Sequence, residues 1–184
     1  MKKLIMFVAI SSMLVSVLSA QDKYYTKTGK INFKSKATLE NIEALNKSVT
    51  AVLDTKTGNL QFAVLMKGFE FEKALMQEHF NENYVESHKY PKAEFKGAVL
   101  NNNDINYTKD GTYKAKVKGQ LTIHGETKEV ETDGTIQVKA GKLMTDATFG
   151  VTLADYKIEI PKLVKDNIAK IVNIEVDCTL DPLK

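Results

Sequence analysis

The sequence predicts an all-β domain, an antiparallel barrel or sandwich of about eight strands with one inserted amphipathic helix. Apolar and polar residues alternate with a period of two along most of the chain, as they do in strands that bury one face. Turns rich in Gly, Asn and Asp separate these runs at short spacing, which is typical of small all-β domains. Alternation with one apolar face along the whole chain favours a sheet closed around an apolar interior.

The clearest element is a hairpin centred on His124-Gly125. Apolar residues alternate with lysines before this turn, from Tyr113 to Ile123, and alternate with carboxylates after it, from Val130 to Val138. Two alternating runs joined by a short turn that contains Gly predict a β-hairpin. Because lysines dominate one arm and carboxylates the other, we expect ion pairs across the two strands.

The remaining strands are predicted from the same alternation and from the turns that bound it. They cover residues 24–34, 48–54, 60–66, 93–99, 143–153 and 168–180. The segment LENIEALN, residues 39–46, has the composition of a helical turn. A polar loop is expected around Tyr107. Pro161 argues against a central strand at its position, and 162–167 fits a short helical turn.

Between Phe69 and Asn83 the period changes from two to between three and five residues, which predicts the helix. Two interpretations of its apolar stripe stay open. The stripe either closes one end of the barrel core or lines the mouth of a cavity. The residues concerned are Phe69, Phe71, Leu75, Met76 and Phe80.

The first twenty residues have the composition of a secretory signal peptide. Lys2-Lys3 precedes an apolar stretch from Leu4 to Leu18, and Leu18-Ser19-Ala20 supplies small residues for cleavage after Ala20 or Ser19. The domain is therefore expected to be 21–184, exported to the periplasm or secreted. No later stretch is long and apolar enough for an integral membrane segment.

Composition argues against several function classes. The 26 basic residues are all lysine, and they alternate with carboxylates; because arginine is the usual bidentate reader of phosphate and guanine, nucleic-acid binding is poorly supported. The single cysteine, Cys178, lies in an alternating run and is expected to be a buried small hydrophobic residue.

The three histidines give no pattern for a metal site or a catalytic site. His79 and His88 are nine residues apart, and His124 lies in a turn, where a side-chain bond to the backbone is the simplest role. No nucleophile has a plausible base beside it, and the sequence has no Gly-rich phosphate loop. We therefore expect neither an enzyme nor a resident metal or cofactor.

The chain contains LTIHGETKEV at Leu121–Val130, the segment His79–Phe95 and DYKIEIP at Asp155–Pro161, and together these three motifs resemble the YceI-like family of secreted lipid-binding proteins. The first motif, Leu121–Val130, resembles the family's LTIHGVTKPV signature. The second, His79–Phe95, resembles the family segment that ends in Tyr-Pro and a strand containing Phe. The third, Asp155–Pro161, is similar to the form found in short members from Bacteroidetes-type bacteria. The resemblance implies a lipocalin-like antiparallel barrel that holds a polyisoprenoid or similar chain in an exported protein. Glu126 and Glu129 depart from the family's usual Val and Pro.

Two functions of different classes follow. The first is an exported protein that binds an isoprenoid-like or other amphiphilic lipid inside the barrel, with Lys67 and Lys73 as head-group candidates. The second is a structural or interaction protein with a filled barrel and no lipid; the sequence names no protein partner. The predicted ligand-binding residues are Phe62, Val64, Met66, Phe71, Leu75, Phe80, Val117, Leu121, Phe149, Val151, Ile174 and Val176.

Overall fold

The computed structural model describes residues 22–183, so the predicted signal peptide, 1–20, lies outside the described residues. None of the helices in 22–183 has the length and apolar composition that crossing a bilayer requires. The strands are β1 Lys23–Lys36, β2 Asn41–Asp54, β3 Asn59–Leu65, β4 Phe69–Phe71, β5 Lys92–Val99, β6 Gly111–Ile123, β7 Glu126–Lys139, β8 Lys142–Thr152 and β9 Ile171–Pro182. The helix α1 covers Ala74–His79 and runs into a π-helical turn, Phe80–Tyr84; short 3₁₀ turns lie at Met66–Gly68, Asn102–Asp104, Leu153–Tyr156 and Lys162–Val164.

Eight antiparallel strands close into a barrel. The strand order is β1-β9-β8-β7-β6-β5-β3-β2, and β1 pairs with β2 to complete the ring, while the three-residue β4 adds to β2. This confirms the predicted barrel and excludes the open sandwich. The central hairpin turns at His124-Gly125 as predicted, and Ile123 lies opposite Glu126. Lys118 on β6 pairs with Glu129 on β7 at 2.9 Å, so the expected ion pairing across the hairpin is present.

The prediction of a helical turn at LENIEALN is wrong, because these residues belong to the loop before β2 and to β2 itself. Ala44 pairs with Phe33 of β1 on one side and with Phe71 of β4 on the other. The alternation was hidden by Asn46, a buried polar residue on the inward face. Its amide donates to the carbonyl of Leu65 at 2.9 Å and accepts from the amide of Ser48 at 2.9 Å, which satisfies its polar atoms.

The predicted helix is real but begins five residues later than expected, at Ala74. Phe69 and Phe71, which the sequence assigned to it, form β4 instead and pair with Asn46 and Ala44. Two aromatic residues at a spacing of two fit a strand as well as a helix, and backbone pairing with β2 decided the outcome. Lys162–Val164 is helical as predicted, and the last strand starts at Ile171 rather than Ile168.

The two ends of the barrel differ, and we name them by their connections. The closed end carries the turn 55–58, the connection 100–110 and the turn 140–141; the mouth end carries the turn 37–40, the connection 66–91, the turn 124–125 and the connection 153–170. Side chains fill the interior near the closed end, where Leu143, Cys178 and Leu180 are fully buried. Burial raises the pKa of the Cys178 thiol to about 12, in keeping with its expected role as a core residue.

Some neighbouring strands of the barrel stop pairing towards the mouth end. β7 and β8 pair only between Gly134–Lys139 and Lys142–Ala147; beyond that point β7 pairs with β6 alone and β8 with β9 alone. On the other side, β2 leaves β3 and pairs with β4. Strands that are no longer hydrogen-bonded are not held at the usual spacing of about 4.8 Å, so the interior can widen here.

Candidate functional site

A cavity of about 320 Å³ occupies the barrel interior and reaches the mouth end. Its walls are mainly apolar side chains from the barrel strands, together with α1 and the connection 153–170. None of the closed-end connections within the described chain contributes to the lining. The cavity is therefore a pocket with a filled floor and a mouth at one end, of the size that small-ligand sites have in proteins.

Small residues help to keep the interior hollow. Gly97 on β5 and Gly119 on β6 lie opposite each other, and the ring of Phe95 covers both. A Cβ atom on Gly119 would lie 2.7 Å from Cζ of Phe95 and 2.5 Å from the carbonyl oxygen of Lys96. Larger residues at these positions would displace the Phe95 ring, which itself lines the cavity.

Eleven of the twelve predicted ligand-binding residues lie in the cavity wall. The exception is Leu75, whose side chain is 60% exposed and does not line the cavity. Because α1 has only six residues, only one short face of the helix contacts the barrel. On that face, Met76 and His79 rather than Leu75 line the cavity. The eleven are Phe62, Val64, Met66, Phe71, Phe80, Val117, Leu121, Phe149, Val151, Ile174 and Val176; that they bind a ligand stays a prediction.

Four phenylalanines form a cluster where the π-helical turn meets the strands. The ring centroid of Phe80 lies 4.9 Å from that of Phe71, 5.6 Å from that of Phe69 and 6.1 Å from that of Phe33. The tilted and edge-on ring pairs are favourable aromatic geometries. The apolar stripe of the helical region therefore does both things the sequence left open, since Phe80 packs on the core and also lines the cavity.

The polar part of the mouth is built around Glu40. This carboxylate lines the cavity and accepts from the Lys73 ammonium at 3.2 Å and from the Asn167 amide at 3.3 Å. These contacts join the β1–β2 turn, the start of α1 and the connection 153–170. Of the two head-group candidates, Lys73 thus reaches the rim through Glu40, whereas Lys67 is exposed and does not line the cavity.

His124 ties three segments of the mouth end together. Its Nδ1 lies 3.0 Å from the backbone oxygen of Tyr156, and its Nε2 lies 2.8 Å from Oε2 of Glu86. The ring of Tyr90 packs edge-on against the imidazole at 4.6 Å. We call these four residues the histidine latch. The expected bond from His124 to the backbone is confirmed.

The backbone oxygen of Tyr156 determines which nitrogen of the His124 ring carries a hydrogen. A carbonyl oxygen only accepts, so Nδ1 carries a hydrogen and donates to Tyr156. An ionised carboxylate is likewise an acceptor only, and Oε2 of Glu86 lies 2.8 Å from Nε2 on the other side of the ring. The hydrogen bond from His124 lowers the pKa of the Glu86 carboxyl below its ordinary value, and the charge of Lys89 acts in the same direction.

Sequence reasoning missed Glu86, Phe33 and Phe95 as parts of the site. Phe33 and Phe95 were recognised as strand residues, and their inward direction was the available signal. Glu86 gave no signal, because its backbone φ of 43° and its distance of 38 residues from His124 are products of the fold. Within residues 22–183, no group of three or more His, Cys, Asp and Glu side chains is placed to hold a metal ion.

The family model of the YceI-like domain matches residues 21–180, nearly the whole of the described chain. The chain belongs to the YceI-like domain family. This confirms the resemblance carried by LTIHG and its neighbouring motifs. A search of the curated proteins gives no match.

Solved structures of YceI-like and related proteins share the barrel. A polyisoprenoid binding domain from Saccharophagus degradans, implicated in plant cell wall breakdown, superposes with a TM-score of 0.76 at 15% identity, over 89% of this chain and 100% of that one. BcnA from Burkholderia cenocepacia gives 0.66 at 18% identity, over 83% and 95%. The YceI protein from Campylobacter jejuni gives 0.57 at 17% identity, over 76% and 84%. At these identities the likeness establishes the YceI-like fold.

Proposed function

We propose that this YceI-like protein is an exported carrier that holds the tail of an isoprenoid-like lipid in its barrel. The observation that carries the proposal is the apolar cavity of about 320 Å³, filled at its floor and reaching the mouth end. A stable barrel has no need of such a space, since protein interiors are normally packed to the density of organic crystals. A linear apolar tail is the ligand chemistry that matches apolar walls with a polar rim at one end.

Burial of the tail supplies the affinity. Each Å² of apolar surface removed from water stabilises the complex by about 25 cal/mol, before the cost of ordering the tail is subtracted. The rim around Glu40, Lys73 and Asn167 offers both donors and acceptors to a polar head group. The polyisoprenoid binding domain from Saccharophagus degradans, whose fold this chain shares, lends support to a ligand of this class.

Binding fits this interior better than catalysis does. The cavity wall presents mainly aliphatic and aromatic groups; its carboxylates are Glu40, Glu94 and Asp146, and its one histidine, His79, is on the exposed helix. The signal-peptide pattern of residues 1–20 is the basis for placing the carrier in the periplasm or outside the cell. An aqueous compartment between membranes is where an apolar lipid needs a protein container.

The first test is native mass spectrometry of protein expressed from the full 184-residue sequence and purified without detergent, with organic extraction of the same sample. The expected result is a stoichiometric added mass that extracts as an isoprenoid-type lipid. A clean apo mass, unchanged after incubation with polyprenyl lipids, would overturn the carrier and favour an interaction protein whose barrel is filled by its own aromatic cluster.

A second test fills the cavity from within. Val117→Trp and Val151→Trp each place a large ring in the wall, and we expect both to abolish lipid uptake. Lys116→Trp is the matched control, because Lys116 neighbours Val117 on β6 but is exposed. Circular dichroism and thermal unfolding identify any variant that loses the barrel. Full lipid occupancy in both folded cavity variants would contradict the proposed site.

A further inference from the structure

The rim of the mouth end displays leucines to solvent. Leu39 in the β1–β2 turn is 71% exposed, Leu75 on α1 is 60% exposed, and Leu163 in the connection 153–170 is 97% exposed. In each of these segments the residue that directly follows the exposed leucine lines the cavity; these residues are Glu40, Met76 and Val164. Each leucine therefore points outward beside the opening.

These segments are tied to one another. The amide of Leu39 donates to the backbone oxygen of Asp166 at 3.0 Å, and the amide of Ala169 donates to Oγ of Ser35 at 2.8 Å. The pair between Lys73 and Glu40 joins α1 to the same turn. Because all three segments are held together, the leucines form one set around the opening, which we call the leucine rim.

Positive charge surrounds the most exposed of these leucines. The stretch 162–170 carries Lys162, Lys165 and Lys170 against a single acidic residue, Asp166. Within residues 22–183, none of these three lysines has a carboxylate partner within 4.0 Å, whereas Lys34, on the barrel wall, pairs with Glu175 at 2.8 Å. Lysines next to an apolar tip suit the boundary between phosphate head groups and acyl chains.

We propose that the leucine rim docks the protein onto an anionic lipid bilayer. Leu39, Leu75 and Leu163 enter the head-group region while the flanking lysines meet lipid phosphates. The cavity mouth then faces the bilayer directly, so a lipid tail moves between membrane and barrel without crossing water. Contact with an anionic surface is made by the basic stretch 162–170, since the exposed carboxylates Glu72, just before α1, and Glu78, within it, lie on either side of Leu75 in the chain. Three apolar tips beside an opening suit a fluid surface better than a shaped protein partner. Docking itself does not depend on the cargo, but its use for lipid transfer rests on the proposed carrier function.

The test is flotation of the protein with vesicles of phosphatidylglycerol and phosphatidylethanolamine, and with vesicles of phosphatidylcholine alone. The protein comes from the full sequence, and its intact mass is checked so that all variants share one N-terminus. We expect binding to the anionic vesicles at low salt, and at least tenfold weaker binding for the double variant Leu39→Asn, Leu163→Asn. Lys162→Gln combined with Lys165→Gln should weaken binding several-fold and reduce its salt dependence.

Matched controls come from the closed end. Leu100→Asn removes a leucine that is 56% exposed there, and Lys56→Gln with Lys109→Gln removes two lysines from its connections. These should leave vesicle binding unchanged. Absence of wild-type binding, or equal losses at both ends, would overturn the proposal.

Two further readouts separate this proposal from its alternatives. Lipid loading from detergent micelles, followed by native mass spectrometry, should be retained in the leucine variants, so a failure of docking and a failure of cargo binding are distinguishable. Sedimentation without vesicles tests whether a second copy of the chain, rather than a bilayer, binds the leucine rim. A wild-type dimer that dissociates in the Leu163→Asn variant would assign the rim to a second copy of the chain and overturn the lipid surface.

Discussion

His124-Gly125 and Ala140-Gly141 are the same kind of turn at opposite ends of neighbouring hairpins. Each links two antiparallel strands through two residues with positive φ, 51° and 78° in the first and 50° and 75° in the second. This is the pattern of type I′ turns, and glycine at the second position relieves its strain. A Cβ on Gly141 would meet nothing within 4 Å, whereas one on Gly125 would lie 2.6 Å from the ring of Tyr90. Ala140 contacts its surroundings through one backbone bond, from its N–H to Oδ1 of Asp110 at 3.2 Å, whereas the His124 side chain contacts Tyr156, Glu86 and Tyr90.

The difference extends to the two ends of the barrel. At the closed end the connection 100–110 is locked by Asn102, which donates to the carbonyl of Thr55 at 2.8 Å and accepts from the Tyr107 hydroxyl at 2.7 Å. Burial raises the pKa of Tyr107 to about 12. At the mouth end the strands part, and the longer connections hold their positions through the histidine latch and Glu40. The comparison shows that the separation of the strands and the connections at each end together decide which end of this barrel is hollow.

The largest expected difference in unfolding free energy is between substitutions of two residues of β9. Leu180 is fully buried near the closed end, so Leu180→Ala should lower the free energy of unfolding by about 3–5 kcal/mol. Ile174 lines the cavity and already lacks neighbours on one side, so Ile174→Ala should cost only about 1–2 kcal/mol. Urea unfolding of both variants measures the difference. Equal losses would mean that the mouth end is packed as densely as the closed end.

A smaller effect is expected from breaking the histidine latch. His124→Asn keeps a residue that tolerates positive φ but cannot reach both Tyr156 and Glu86, so it should destabilise the protein by about 1–3 kcal/mol. Hydrogen exchange should increase in 153–158. Ala140→Asn is the control, because it changes the equivalent turn at the closed end and should be neutral or slightly stabilising. Equal free energies of unfolding for the two variants would show that the histidine latch does not stabilise the protein.

The smallest expected effect is a dependence on pH. Because the hydrogen bond with His124 lowers the pKa of Glu86 from its ordinary value of 4.5, the ionised carboxylate stabilises the fold at pH values above 4.5, and this contribution is lost as the pH falls through the lowered pKa. The stability difference between wild type and Glu86→Gln should therefore narrow between about pH 6 and about pH 3. Urea unfolding across this range measures it. A difference that stays constant would show that the carboxylate charge has no part in the latch.

Much of this fold could be predicted because its strands follow a local rule. The central hairpin, most other strands, the helix near Ala74 and eleven of the twelve cavity residues all come from alternation or from helical period. The errors arose where local pattern was ambiguous. Asn46 interrupted the apolar face of β2, and Phe69 and Phe71 fitted two periods at once. Leu75 lies outside the cavity because α1 has only six residues, so the apolar stripe that the helical period predicts is too short to keep Leu75 against the barrel.

The sequence was sufficient to assign the direction of each strand residue, since a period of two sends successive side chains to opposite faces whatever their partners are. It also determined the family, through contiguous motifs such as LTIHG. The folded structure was needed to locate the cavity, because empty space depends on how far apart the strands lie and on which connections fill the gap. It likewise decided the partners of His124: Glu86 and Tyr156 are 38 and 32 residues away, and only the closed barrel brings them to the imidazole.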